Sequence, residues 1–288
     1  MKKLSFLAVM TTAALVATIC CGCVYSFVTG DKYDNAENYN IGSKTYDEDI
    51  SCVEIDWKCG KLTLGNGDKV SVEENQGSLN DQQRVRSIVE NGVLKVQFWA
   101  SEYSATVNST DKTVKVIVPP NIDVKIVSTS GQIVMNNIKA NNVTVGKMSG
   151  SLEIDNIDAK TVDIDTTSGS IKIGSVTCQK LIVDSTSGSV RINDMSAAVA
   201  LVGSTSGSVK LTIGGVCEQF ELNVTSGNSE LHLADAKCGA TIEHSTVSGK
   251  LNIQADYNVS GGKSVVGSGK CKMSLHATSG KITVDLVK

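Results

Sequence analysis

The pair Ser-Gly recurs at 130–131, 149–150, 168–169, 187–188 and 206–207, each nineteen residues after the last. The next pairs, at 226–227 and 248–249, follow after twenty and twenty-two residues. A period of this length is the signature of stacked repeats rather than of one globular core. Counted from each glycine as zero, apolar residues fall into columns. Position two holds Ile133, Leu152, Ile171, Val190 and Val209, and position four holds Met135, Ile154, Ile173, Ile192 and Leu211. Position seven holds Ile138, Ile157, Val176 and Met195, and position nine is small, with Ala140, Ala159, Cys178 and Ala197. Position twelve holds Val143, Val162, Leu181 and Ala200, and position fourteen holds Val145, Ile164, Val183 and Val202.

The series two, four, seven, nine, twelve, fourteen is made of alternating pairs that shift by one at each step. A flat strand keeps its parity, so each shift marks a corner. The pattern predicts an all-β fold: a single-stranded parallel β-solenoid, or β-helix, with coils of about nineteen residues. The glycine marks a corner that needs positive φ or a close backbone approach. The crossover rule favours a right-handed winding. Five regular coils spaced about 4.8 Å apart give a column of about 24 Å. One coil cannot complete its own burial or its own hydrogen-bond ladder, so coils need neighbours and the ends need caps.

The solenoid is expected over residues 121–288. Residues 49–120, with "CVEIDW", "GKLTLG", "KVSVEE", "GVLKVQFWA" and "KTVKVIVPP", alternate clearly but at irregular spacing, and form an N-terminal strand cap or irregular coils. The tail, including "SGKLNIQADYNVSGGKSVVGSGKCKMSLHATSGKITVDLVK", is expected to close the other end with Lys and Asp on its last strand. Residues 29–48 are polar and acidic without an apolar period, and read as a tether. Aromatics at 4% and two prolines suit a thin strand-rich body.

Residues 1–28 carry Lys2-Lys3 and then an uncharged, mostly apolar run from Leu4 to Val28. As a membrane anchor, such a run reaches about 37 Å, against a hydrocarbon core of about 30 Å. As a signal peptide it ends in Cys20-Cys21-Gly22-Cys23, where Gly22 is the small residue that a bacterial lipoprotein signal places before its lipidated cysteine, here Cys23. Cys20 departs from the Leu-like residue of that signal. Both alternatives keep the positive end inside and put the body outside the cytoplasm, tied to a bacterial cell membrane.

Six further cysteines lie in the body without a C-x-x-C spacing, so zinc or thioredoxin-like chemistry has no support. Outside the cell they can pair. Cys217 and Cys238 precede equivalent strands of adjacent coils and are the disulfide candidate. Cys178 stands in a column of alanines and reads as a buried small residue.

Candidate chemistry is sparse. The line Thr167, Thr186 and Thr205, each followed by Ser-Gly and preceded by Thr166, Ser185 and Ser204, gives a stack of hydroxyls able to bind glycans or order water. Strand preference and turn chemistry also explain the same residues. Asp155, Asp158, Asp163, Asp165 and Asp184 offer carboxylates, yet position fifteen reads Gly146, Asp165, Asp184, Gly203, so the acid does not persist from coil to coil. A solvated face accounts for it. His232, His244 and His276 have no metal-ligand spacing, and no phosphate-cradling or nucleophile-elbow glycine motif occurs. A formal net charge of −3 gives no nucleic-acid footprint. No cofactor is implied, and the chain reads as a binding protein rather than an enzyme. Sequons stand at Asn108, Asn142, Asn223 and Asn258 and carry little weight in a bacterial protein.

With "KVIVPPNIDVKIVSTSGQIVMNNI" leading into the repeated Thr-Ser-Gly-Ser phrase, roughly residues 50–288 resemble the putative-adhesin family of bacterial β-strand-repeat proteins. That resemblance implies an N-terminal export segment, strand pairs ending in a Val-Pro step, and Ser-Gly coils. It carries no catalytic residues. The expected function is an envelope-anchored, adhesin-like interaction module contacting glycans, wall polymers or an envelope protein. An accessory role in envelope-stress sensing is the alternative, followed by a solenoid carbohydrate-active enzyme. The longer coils at 207–248 and the Thr/Ser line are where a site is expected.

Overall fold

The computed structural model describes residues 36–286 apart from 76, 78, 101–111 and 235–238. The N-terminal segment with Cys23, the Asn108 sequon and Cys238 therefore lie outside the described residues. Among the described residues, apart from one 3-10 turn at Ala36–Asn38, the regular elements are strands, and they join in one continuous sheet.

The N-terminal end is a layer of paired strands. β1 (Asn40–Ile41), β2 (Lys44–Tyr46), β3 (Cys52–Trp57), β4 (Lys61–Asn66), β5 (Val70–Glu74), β6 (Arg86–Glu90), β7 (Val93–Gln97) and β8 (Thr113–Val118) follow in order. β7 and β8 run parallel to β3 and β4, while β6 and β5 turn back antiparallel on them. Residues 40–46, expected in the tether, instead extend this end: β1 pairs with β6 and β2 with β5. Tyr46 is the reason they dock, since its ring is buried and its hydroxyl donates to Ser87 Oγ at 2.8 Å. Trp57 is fully buried edge-on against Phe98, 4.8 Å between centroids. This double layer hides the apolar end of the stack.

β9 (Asp123–Ser128) and β10 (Gln132–Asn136) then lie parallel on β3 and β4. β11 (Ile138–Lys139), β12 (Asn142–Lys147) and β13, extended chain from Ser151 to Ile213, wind onward from them. Val143 pairs with Val124 on one side and Val162 on the other, a parallel register of nineteen residues in each direction. The columns read from the sequence are the core: Val143, Val162, Leu181 and Ala200 are all fully buried. Corners stack glycine on glycine. Gly169 has φ +132, and a Cβ there would lie 2.0 Å from the carbonyl oxygen of Gly150.

The far end departs from chain order. The remaining strands are β14 (Gln219–Leu233), β15 (Ala240–Thr246), β16 (Lys250–Ile253), β17 (Tyr257–Ser260), β18 (Lys263–Val266) and β19 (Cys271–Leu286). β14 stacks on the last coil of β13, with Leu201 beside Glu221. The strand lying on β14 is β19, which aligns Leu222 with Leu275 and Leu231 with Val284. β15 and β16 pack on the far side of β19, Ile242 beside Met273 and Leu251 beside Ile282. The tail was expected to close the stack with its last strand; that strand sits one rung inside it. The physical reason is continuity, because β19 offers β14 fourteen paired positions, six before and eight after the Thr225 position. β15 and β16 are broken between them by the exposed Val247. β17 and β18 form a hairpin, with β18 antiparallel to β15.

Candidate binding face

The strand that leads into each glycine corner alternates inward and outward, and its outward positions build one face. In the coil of Gly207 they are Val199, Leu201, Gly203 and Thr205; the matching row of β14 is Gln219, Glu221, Asn223 and Thr225. β19 adds Lys272, Ser274, His276 and Thr278, and β15 adds Thr241, Glu243 and Ser245.

Thr167, Thr186 and Thr205 are exposed at the corner edge of this face. The insertion of β19 lengthens their ladder: Thr225 and Thr278 occupy the next two rungs, also exposed, giving five successive threonines. Parallel pairing sets the rungs about 4.8 Å apart. Below Thr167 the column is interrupted by the exposed Met148. The companions Thr166, Ser185 and Ser204 do not belong to the surface. Being one residue earlier, they point inward and are buried, and Thr166 Oγ1 donates to the Ser168 carbonyl at 3.4 Å. The corner interior is therefore polar, and its column continues below through Lys147, whose Nζ donates to the Gly131 carbonyl at 3.1 Å, to the buried Ser128.

Between the ladder and the middle of the face runs a polar row. Asp165 and Asp184 occupy neighbouring rungs between Gly146 and Gly203. Crowding of surrounding atoms, with Asp165 and Asp163 alongside, pushes the Asp184 carboxyl up to about 6. Gly203 gives it room, since a Cβ there would meet Asp184 Oδ1 at 2.1 Å. Further along the row Ser245 Oγ and His276 Nδ1 are 2.8 Å apart, and Asn223 Nδ2 donates to Glu221 Oε1 at 2.7 Å.

The hairpin β17–β18 overhangs the top of the same face. It closes a concavity of about 340 Å³ lined by Leu201, Glu221, Thr241, Lys272 and Lys263. Lys263 pairs with Glu243 and ties the hairpin to the face. The two places singled out in the sequence, the threonine line and the longer coils, thus meet on one surface. Thr278 escaped the sequence reading because residues 271–286 were placed last in the stack. The signal was present: Thr278-Ser279-Gly280 repeats Thr225-Ser226-Gly227, whereas residues 246–249 read Thr-Val-Ser-Gly.

Other candidates lie apart from this face. His232 Nδ1 stands 2.5 Å from Asp285 Oδ1, a polar tie between β14 and β19. Cys178 is half-buried, and burial pushes its thiol up to about 11. Of the disulfide candidate, Cys238 is outside the described residues, while Cys217 Sγ lies 3.2 Å from Cys271 Sγ.

Residues 50–285 match the family model described as Toastrack DUF4097. That is most of the chain, and the chain belongs to this family. No curated protein matches the sequence. Among solved structures, a "putative adhesin" from Bacteroides fragilis aligns at TM-score 0.52 with 12% identity, covering 85% of this chain and 97% of its own. A "putative lipid binding protein" from Parabacteroides distasonis aligns at TM-score 0.49 with 15% identity, covering 87% and 98%. The first supports the fold; at such identities neither likeness speaks to function.

Proposed function

We propose that this Toastrack chain is a cell-envelope-anchored, outward-facing binding module that holds a repeating polymer, a glycan or wall polymer, along the threonine-edged face. The observation that carries the reading is the five-rung ladder Thr167, Thr186, Thr205, Thr225 and Thr278, continuous with the concavity under the hairpin. Each hydroxyl both donates and accepts, so a row of them matches a row of sugar hydroxyls in either orientation. The rungs are fixed by the backbone ladder and lose little freedom on binding. The face repeats one side chain in register, which suits many equivalent weak contacts. A reaction needs unlike groups converging on one bond, and binding is therefore preferred to catalysis.

The anchor is the apolar run from Leu4 to Val28, as a membrane helix or as a lipoprotein signal ending at Cys23, with the body outside a bacterial membrane. A soluble form beginning at Asp31 tests the module when incubated with isolated envelopes, wall fragments and glycans. Saturable retention that falls when Thr167, Thr186 and Thr205 become alanine is expected. A folded protein that nothing retains would overturn the reading in favour of an accessory role in envelope-stress sensing.

A further inference from the structure

We propose that Cys217 and Cys271 form a disulfide that locks the last strand, β19, into its place beside β14. Their sulfurs are 3.2 Å apart on neighbouring rungs. Lys272 N donates to the Glu218 carbonyl at 2.8 Å, so the two segments are already joined at this level. Neighbouring rungs stand about 4.8 Å apart, inside the Cα separation that a disulfide spans. Only the closure from thiol contact to bond length remains.

The two thiols also differ in the way that a stepwise closure needs. Cys217 is half-buried beside Val216, which is 63% exposed, so an oxidant in solution reaches it. Cys271 is buried, and its contact with Cys217 lowers its thiol below the usual range. The oxidant is a low-molecular-weight disulfide. The Cys217 thiolate attacks it, forming a mixed disulfide and releasing one small thiol. The Cys271 thiolate then attacks Cys217 Sγ, forming the Cys217–Cys271 bond and releasing the second small thiol. Two protein thiols are oxidised and one small disulfide is reduced to two thiols, the protons passing to the leaving thiolates.

The bond has a structural purpose. β19 reaches its rung out of chain order, after β15 and β16 have passed by. A covalent tie where β19 begins keeps the strand from fraying out of the stack, and with it the Thr278 rung. In a cell, oxidation rests on the exported placement proposed above; in vitro the chemistry needs only the folded chain.

The test is direct because Cys217, Cys238 and Cys271 fall in three different tryptic peptides, bounded by Lys210, Lys237, Lys250, Lys270 and Lys272. Purified full chain is equilibrated with oxidised and reduced glutathione, alkylated, digested without reduction and mapped by mass spectrometry. A crosslink joining the Cys217 and Cys271 peptides is expected. A Cys217–Cys238 or Cys238–Cys271 link, or three alkylated thiols, overturns the proposal. Thermal melts give an independent readout. Oxidation is expected to raise Tm by about 10 °C in the parent and in Cys238→Ser, and not in Cys217→Ser or Cys271→Ser. Loss of the rise in Cys238→Ser would also overturn it.

Discussion

Gly280 lies directly over Gly227, so closely that a Cβ on Gly280 would sit 2.1 Å from the Gly227 carbonyl oxygen. This contact identifies β19 as the coil that follows β14, and it leaves no space for any side chain.

Gly280→Ala is therefore expected to destabilise the protein severely. It combines a clash with backbone and a φ of +139 that L residues avoid. A loss of several kcal/mol in urea melts is predicted. Gly261→Ala is the control: its φ is +57 but nothing lies within 4 Å, so a cost of about 1 kcal/mol is expected. Equal costs would place β19 elsewhere.

The buried ammonium of Lys147 gives a pH signature. Burial lowers its pKa from 10.5 to about 8. Between those values the unfolded chain holds a proton that the folded chain has shed, so stability rises with pH across that window. Below about 8 both forms are charged, and burying the charge costs the fold roughly 3 kcal/mol. Lys147→Met should recover up to that amount at pH 7 and reduce the rise seen between pH 8 and 10. Lys112, also lowered to about 8, supplies the rise that remains. A Met variant less stable than the parent at pH 7 would contradict the account.

At the N-terminal end Glu74 Oε1 lies 3.2 Å from Lys112 Nζ with both side chains fully buried, and the same oxygen accepts from Val85 N at 2.7 Å. Glu74→Gln leaves the lysine charge buried without its counter-charge, at a cost of about 3–5 kcal/mol. Adding Lys112→Met should restore much of that loss. A double-mutant cycle with no coupling would rule out the pair.

The sequence displayed the regular part of the fold because each coil repeats one parity pattern, from Ile133 and Met135 to Val209 and Leu211. It did not display the order of the last coils. Pairing between strands distant in the chain leaves no period, and only the repeated Thr-Ser-Gly at 278–280 pointed to it. The hydroxyl residues that precede the predicted line, Thr166, Ser185 and Ser204, also turned inward. Thr166 and Thr167 are chemically alike, and the corner decides which of them faces solvent. In the N-terminal layer the buried Lys112 reads as a surface residue in any sequence, because its partner Glu74 is far away in the chain. The concavity depends on the fold of an inserted hairpin, which composition alone does not orient.

The most direct test of the binding face places one bulky charge on it and one away from it. Thr205→Arg blocks the middle rung of the ladder, whereas the exposed Thr177 lies on another side of the coil, so Thr177→Arg leaves the face untouched. Both are compared with the parent for retention on the wall polymer or glycan that binds it most tightly. The account predicts at least a tenfold loss of affinity for Thr205→Arg and none for Thr177→Arg. Equal retention of the two variants would contradict it.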